Sequence, residues 1–123
     1  MAANKIFRFG PTAMSATLTT NILNPPTAAG GTGSGSSSQY IVLRHIRIVN
    51  RTGGGVTFSL FLGGTGGNVS GTEVVGTATS VPANSFVDWY GQLRIDAADF
   101  LVGGASAGAS LTIQGEGEIG VSG

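Results

Sequence analysis

The sequence predicts an all-β fold: a single-domain antiparallel β-sandwich, jelly-roll-like, with seven or eight short strands. Three observations predict it. Apolar and polar residues alternate with period two along much of the chain, whereas helical spacing does not recur. Clusters of glycine, proline and asparagine interrupt these runs at the short intervals that turns between strands require. The chain has 123 residues, a size that supports one hydrophobic core and not two. Residues 1–38 read as an N-terminal arm, first strands and a Gly/Ser-rich loop, and residues 39–123 as the core of the same domain.

Residues 5–9 and 13–20 are the first predicted strands. The Asn24-Pro25-Pro26 breaker follows, then the low-complexity stretch AAGGTGSGSSS over residues 28–38. Its composition is that of a flexible loop, either solvated or laid along a neighbouring subunit. Residues 40–50 (YIVLRHIRIVN) are apolar on both faces of a strand. They fit either a central strand covered on both sides or a bulge near Arg44 and His45 that shifts the register. The glycine turn at 51–55 leads to residues 56–62, where Val56, Phe58, Leu60 and Leu62 share a face and Phe61 is the odd apolar residue on the other.

Turn signals at 63–67, 82–84 and 103–104 separate further strands at 73–80, 86–90, around Leu93 and Ile95, and at 100–102. The clearest alternation is the last. Leu111, Ile113, Gly115, Gly117, Ile119 and Val121 lie on one face of residues 111–121, and Thr112, Gln114, Glu116, Glu118 and Gly120 on the other.

Charge is scarce. Charged residues make up 10 % of the chain, against ~25 % in an ordinary soluble domain. Ser, Thr, Gly and Ala take the places that Lys, Glu, Arg and Asp normally hold to keep a surface soluble and sheet edges unpaired. Either the domain wears a neutral polar coat in a secreted or harsh setting, or its surface is covered by other protein as a subunit of an assembly. Six basic residues balance six acidic ones, which argues against binding to nucleic acid or to an anionic membrane. The absence of cysteine excludes disulfides and thiolate metal sites. The first ten residues lack the continuous apolar run of a signal peptide, and no run elsewhere is long enough for a membrane-spanning helix.

No catalytic, cofactor or metal site is expected. His45 is the only histidine and falls inside the apolar run 40–50, and no nucleophile elbow is present. Asp96 and Asp99 suit a turn in which carboxylates accept backbone amides better than they suit a cation site. The glycine clusters are not followed by the Lys-Ser/Thr and helix of a phosphate loop. In the alternating pair Trp89 and Tyr90 one ring is expected to enter the core and the other to face a partner or a sugar. Lys5, Phe7, Arg8 and Phe9 in the N-terminal arm are residue types favoured at interface anchors, although Phe7 and Phe9 equally suit a cap on the domain's own core. Arg44, Arg47, Arg51 and Arg94 have Asp88, Asp96 and Asp99 as potential partners, within or between subunits.

The segments IVLRHIRIVNRTGGGVTFSLFLGG (41–64), VPANSFVDWYGQLRIDAADFL (81–101) and ASLTIQGEGEIGV (109–121) together resemble small β-sandwich virion proteins of tailed bacteriophages. The likeness covers residues 39–123 and consists of turn and core residues, with no catalytic signature. It implies a non-enzymatic structural role, foremost a capsid decoration or cement subunit that binds the shell exterior and stabilises it. The partners it implies are the major capsid protein and further copies of the chain, a homotrimer before a dimer. The implied location is the capsid surface of the virion, after synthesis in the host bacterial cytoplasm. The alternative is a neck, tail or fibre component acting as a host-surface carbohydrate-binding module, with Trp89 or Tyr90 exposed.

Overall fold

A computed structural model describes residues 5–24, 39–96, 99–108 and 110–121. Among these residues the chain forms eight strands: β1 (Lys5–Ala13), β2 (Asn21–Leu23), β3 (Gln39–Asn50), β4 (Val56–Gly63), β5 (Glu73–Val81), β6 (Ser85–Ile95), β7 (Phe100–Ala105) and β8 (Leu111–Val121). Their pairing is that of one long antiparallel ribbon closed at the β4–β5 turn. The ribbon pairs are β4 with β5, β3 with β6, β2 with β7 and β1 with β8. Rolling the ribbon adds two further ladders, β3 with β8 and β4 with β7. Two four-stranded sheets result, sheet I in the order β1-β8-β3-β6 and sheet II in the order β2-β7-β4-β5. This is a jelly-roll sandwich, as the turn spacing predicts.

The core lies between the sheets, and β3 shows how the sequence reaches it. Ile41 and Leu43 are buried, then Ile46, Ile48 and Asn50, so the inward side changes from odd to even numbers. The register shifts between Leu43 and His45 against both neighbouring strands. Of the two readings of the doubly apolar run the bulge holds: the extra residue at Arg44 resets the alternation, and β3, although central in sheet I, is covered on its inner side only, its outer side bearing Arg44, His45 and Arg47. Asn50 ends the strand as a buried polar residue with its amide satisfied. Its Nδ2 donates to the carbonyls of Gly54 (2.9 Å) and Val81 (3.0 Å), and its Oδ1 accepts from the Thr52 amide (2.9 Å).

Strand β8 has the predicted limits, and its burial alternates as predicted from Leu111 to Glu118, while Gly120, expected on the outer face, is buried; its glycines serve packing. Phe7 and Phe9 on β1 stand opposite Gly117 and Gly115. A Cβ at Gly115 would strike the Phe9 ring, and one at Gly117 would meet the Val42 carbonyl and lie 2.9 Å from Leu43 Cα. The bare backbone at Gly115 lets the Phe9 ring lie across β8 and reach the core, and that at Gly117 leaves room for the backbone of β3.

Three sequence expectations are corrected. Residues 13–20 are not a strand beyond Ala13. Met14 turns into the core, the Thr17 amide donates to Ser15 Oγ (3.0 Å), and the Thr20 hydroxyl donates to the Thr17 carbonyl (2.9 Å). These local hydrogen bonds compete with a ladder, and the strand resumes as β2. The predicted break after Tyr90 is instead a bulge inside β6, where Gly91 and Gln92 oppose Arg44. Gly103 and Gly104 do not end β7 but lie buried within it, because side chains there would collide with the Ser59 carbonyl and with the carbonyls of Ser15 and Thr17. Pro25, Pro26 and the stretch 28–38 lie outside the described residues.

All four edge strands are irregular. Strand β1 shifts register between Phe9 and Thr12, β2 has three residues and a shift, and β6 carries the Gly91 bulge. Strand β5 shifts opposite Phe58 and Leu60 and holds Val75 (φ 68°) and Ala78 (φ 46°) in the left-handed region. Such edges resist pairing with a further strand.

The packing over β8 makes a quantitative prediction. Gly115→Val should destabilise the domain by roughly 1–3 kcal/mol, the usual cost of overpacking a core, read as a lower urea midpoint. A substitution at the exposed Gly53, where an added Cβ meets nothing, should leave that midpoint in place.

Candidate functional site

The two outer faces of the sandwich differ in charge. Eight of the twelve charged residues, Lys5, Arg8, Arg44, Arg47, Asp88, Arg94, Glu116 and Glu118, belong to strands of sheet I. Sheet II has one in its strands, Glu73.

On sheet I the register brings Arg8, Glu116, His45 and Tyr90 into one row across all four strands. His45 sits at its centre. Its Nε2 lies 2.8 Å from Asp88 Oδ1 and its Nδ1 3.2 Å from Glu116 Oε1. Both ring nitrogens thus face carboxylates, an arrangement that the doubly protonated ring satisfies with two N–H donors. The imidazole ties β3 to β6 and β8 at once. Tyr90 stacks on it with ring centres 4.6 Å apart and planes 12° from parallel.

Further ion pairs flank the row. Arg47 Nε donates to Asp88 Oδ1 (2.7 Å) and its guanidinium lies 4.6 Å from the Phe86 ring centre. Arg44, carried outward by the β3 bulge, donates twice to Glu118 Oε2. Arg94 donates to Asp96 (2.6 Å) and covers the Tyr40 ring. The hydrogen bond from Arg47, then that from His45, holds the Asp88 carboxyl down at about 2. The bond to Asp88 raises His45 above its ordinary 6.5, against the opposing effect of burial.

Phe7 and Phe9, read as candidate interface anchors, are core residues, 5 % and 8 % exposed. Lys5 pairs with Ile119 through its backbone, and its side chain lies outside the described residues. Arg8 is exposed on the outer face of sheet I and makes no ion pair or hydrogen bond among the described residues. Trp89 packs against the core, and Tyr90 points outward with 71 % of its surface exposed. Of the arginine pairings expected, Arg47 with Asp88 and Arg94 with Asp96 are formed. Arg44 takes Glu118, and Arg51 has no ion-pair partner among the described residues.

Asp99 accepts the Asp96 amide at 3.1 Å, the turn role its position predicts. Among the described residues no group of three His, Asp or Glu side chains is placed to hold a metal ion. The central cluster was not legible in advance, because the row that unites Arg8, Glu116, His45 and Tyr90 is set by strand order and by the bulge. Two acids on one face of 111–121 were its only local signal.

The outer face of sheet II is made mostly of small residues and carries one charge from its strands, Glu73, which stands opposite Phe61. Thr57 stands opposite Ser80, Ser59 opposite Gly104, and Phe61 opposite Val102. Phe61 and Val102 are buried although they face away from the core, and Ser59 Oγ accepts the Ala78 amide at 2.8 Å. The 14–20 segment continues the edge beside β7, its Ser15 and Thr20 carbonyls accepting from the amides of Ala105 (2.8 Å) and Gly103 (3.0 Å). Ala16 and Leu18 join Thr57, Ser59 and Ala78 around a shallow depression of about 250 Å³.

Compared with known protein families, curated proteins and solved structures, the chain has no match. The functional reading therefore rests on the faces themselves and on the residues quoted above.

The cluster predicts how stability depends on pH. Asp88 titrates near 2 when folded and near 3.8 when not, so its contribution is present above about 3.8 and is lost as pH falls toward 2. His45 is raised above 6.5, so its contribution is full below 6.5 and disappears as pH rises through the folded value. Thermal midpoints should peak between these limits. Asp88→Asn should flatten both flanks and move the His45 titration, followed by NMR, back toward 6.5.

Proposed function

We propose that this chain is a non-enzymatic structural subunit of a tailed-bacteriophage virion, a decoration or cement protein that binds the shell exterior through the outer face of sheet II. The observation that carries the reading is the near absence of charge from that face in a sandwich whose four edges all discourage strand pairing. Apart from Glu73 on its edge strand β5, this small-residue face loses little on desolvation and lets another backbone approach closely. The similarity of residues 39–123 to small virion sandwiches supplies the setting, with the major capsid protein as the partner.

The mechanism needs no chemistry. A shell under internal pressure resists rupture better when a subunit spans neighbouring shell proteins, because their separation must also break the added contacts. Each contact of standard size buries ~1,600 Å². A homotrimer engaging several sites together gains ~10²–10⁴ in apparent affinity over one site. Threefold association suits the local threefold positions of an icosahedral shell, and a dimer is the other closed arrangement.

Co-sedimentation of the purified protein with particles lacking it tests the reading. Ser80→Arg, which places a charge on the charge-poor face without entering the core, should weaken binding at least about tenfold. Arg8→Ala, on the opposite face, should bind as the unaltered chain does. Equal binding by Ser80→Arg, or no binding of the unaltered protein to any particle, contradicts the proposal.

A further inference from the structure

The outer face of sheet I has a feature that docking by sheet II leaves unused. Tyr90 offers one ring face to solvent while the other is covered by His45. His45 is itself held between Asp88 and Glu116, so the tyrosine rests on a support braced to three strands. From this ring a shallow trough of about 590 Å³ runs across the sheet to Ile6, which is 91 % exposed, with Arg44, Glu116 and Glu118 along it. It crosses the strands, and three inter-strand spacings of ~4.8 Å give it a reach of roughly 14 Å.

The hydrogen-bonding capacity left in the trough defines its ligand. Among the described residues, Glu116 uses Oε1 on His45 and leaves Oε2 without a partner, while Glu118 uses Oε2 on Arg44 and leaves Oε1 without one. Arg44 donates through Nε and one terminal nitrogen and keeps the other. Acceptors and donors thus alternate beside a fixed aromatic plane. Arg44 is paired with Glu118 and Glu116 with His45, so an ionic ligand would meet charges whose fields are already offset by a partner. A neutral saccharide needs no such field: the apolar face of a pyranose stacks on an aromatic ring, and its hydroxyls both donate and accept.

We infer that the Tyr90–Ile6 trough binds a neutral oligosaccharide, with Tyr90 as the stacking platform and Glu116, Glu118 and Arg44 as hydroxyl partners. Preorganisation favours this, because the ring is already held by the His45 stack and loses little freedom on binding. The site lies on the face opposite the proposed docking surface and does not depend on the virion reading.

The test is NMR titration of the isotopically labelled full chain with maltose, lactose and diacetylchitobiose, and with a galacturonic acid disaccharide as the acidic comparison. At least one neutral sugar should shift the amides of Tyr90, His45 and Glu116 at roughly millimolar concentration, with the acidic sugar weaker. Tyr90→Ala should weaken that binding at least about tenfold without changing the circular dichroism spectrum, and Tyr90→Trp should restore it. No shift with any neutral sugar, shifts that map elsewhere, stronger binding of the acidic sugar, or an unchanged affinity in Tyr90→Ala would overturn the inference. Ser80→Arg should bind sugar normally, which separates failure of this site from failure of the docking face.

Discussion

The register of β3 between β6 and β8 is the constraint on which both faces depend. One additional residue at Arg44 moves the inward set from Ile41 and Leu43 to Ile46, Ile48 and Asn50. Because side chains in a strand alternate with period two, a slip of one residue would send this entire second set outward and bury Arg47 and His45. The same bulge lifts Arg44 toward Glu118 and leaves His45 level with Glu116 and Tyr90. Core and charged surface are therefore two consequences of a single irregularity.

Rolling the ribbon then separates the charges. Residues close in sequence are distributed to different sheets, while β1, β3, β6 and β8, which carry most of the charge, are collected into one. Individually, exposed ion pairs contribute little. Here several share partners, as Asp88 does with His45 and Arg47, and they join three strands on one face. The opposite sheet is left with hydroxyls, glycine, alanine and the single carboxylate of Glu73 outside, and with Phe61 and Val102 buried on its outer side. That division gives one ionic surface and one surface poor in charge.

The sequence was most informative where alternation was unbroken. Strand β8 and the inward residues of β4 follow directly from period two, and the bulge near Arg44 was one of two readings of residues 40–50. Legibility failed where the decisive contact was distant. Gly103 and Gly104 look like a turn until the carbonyls of Ser59, Ser15 and Thr17 are seen beside them, and residues 13–20 look like a strand until Ser15 and Thr20 are seen to bond their own loop. Phe9 illustrates the same limit, since the place of its ring depends on Gly115, more than a hundred positions away. At the candidate site, individual residues were legible as types, but the row joining Arg8 to Tyr90 exists only after four strands are placed in order.

The central claim is that the charge-poor outer face of sheet II is covered by another protein in the working assembly. Electron cryomicroscopy of intact particles at side-chain detail tests it most directly. The expected map has this sandwich on the shell with Thr57, Ser80 and Ala78 against the capsid protein and Tyr90 directed to solvent. A map in which sheet II lies bare while sheet I meets the shell, or particles that contain no copy of the chain, would contradict it.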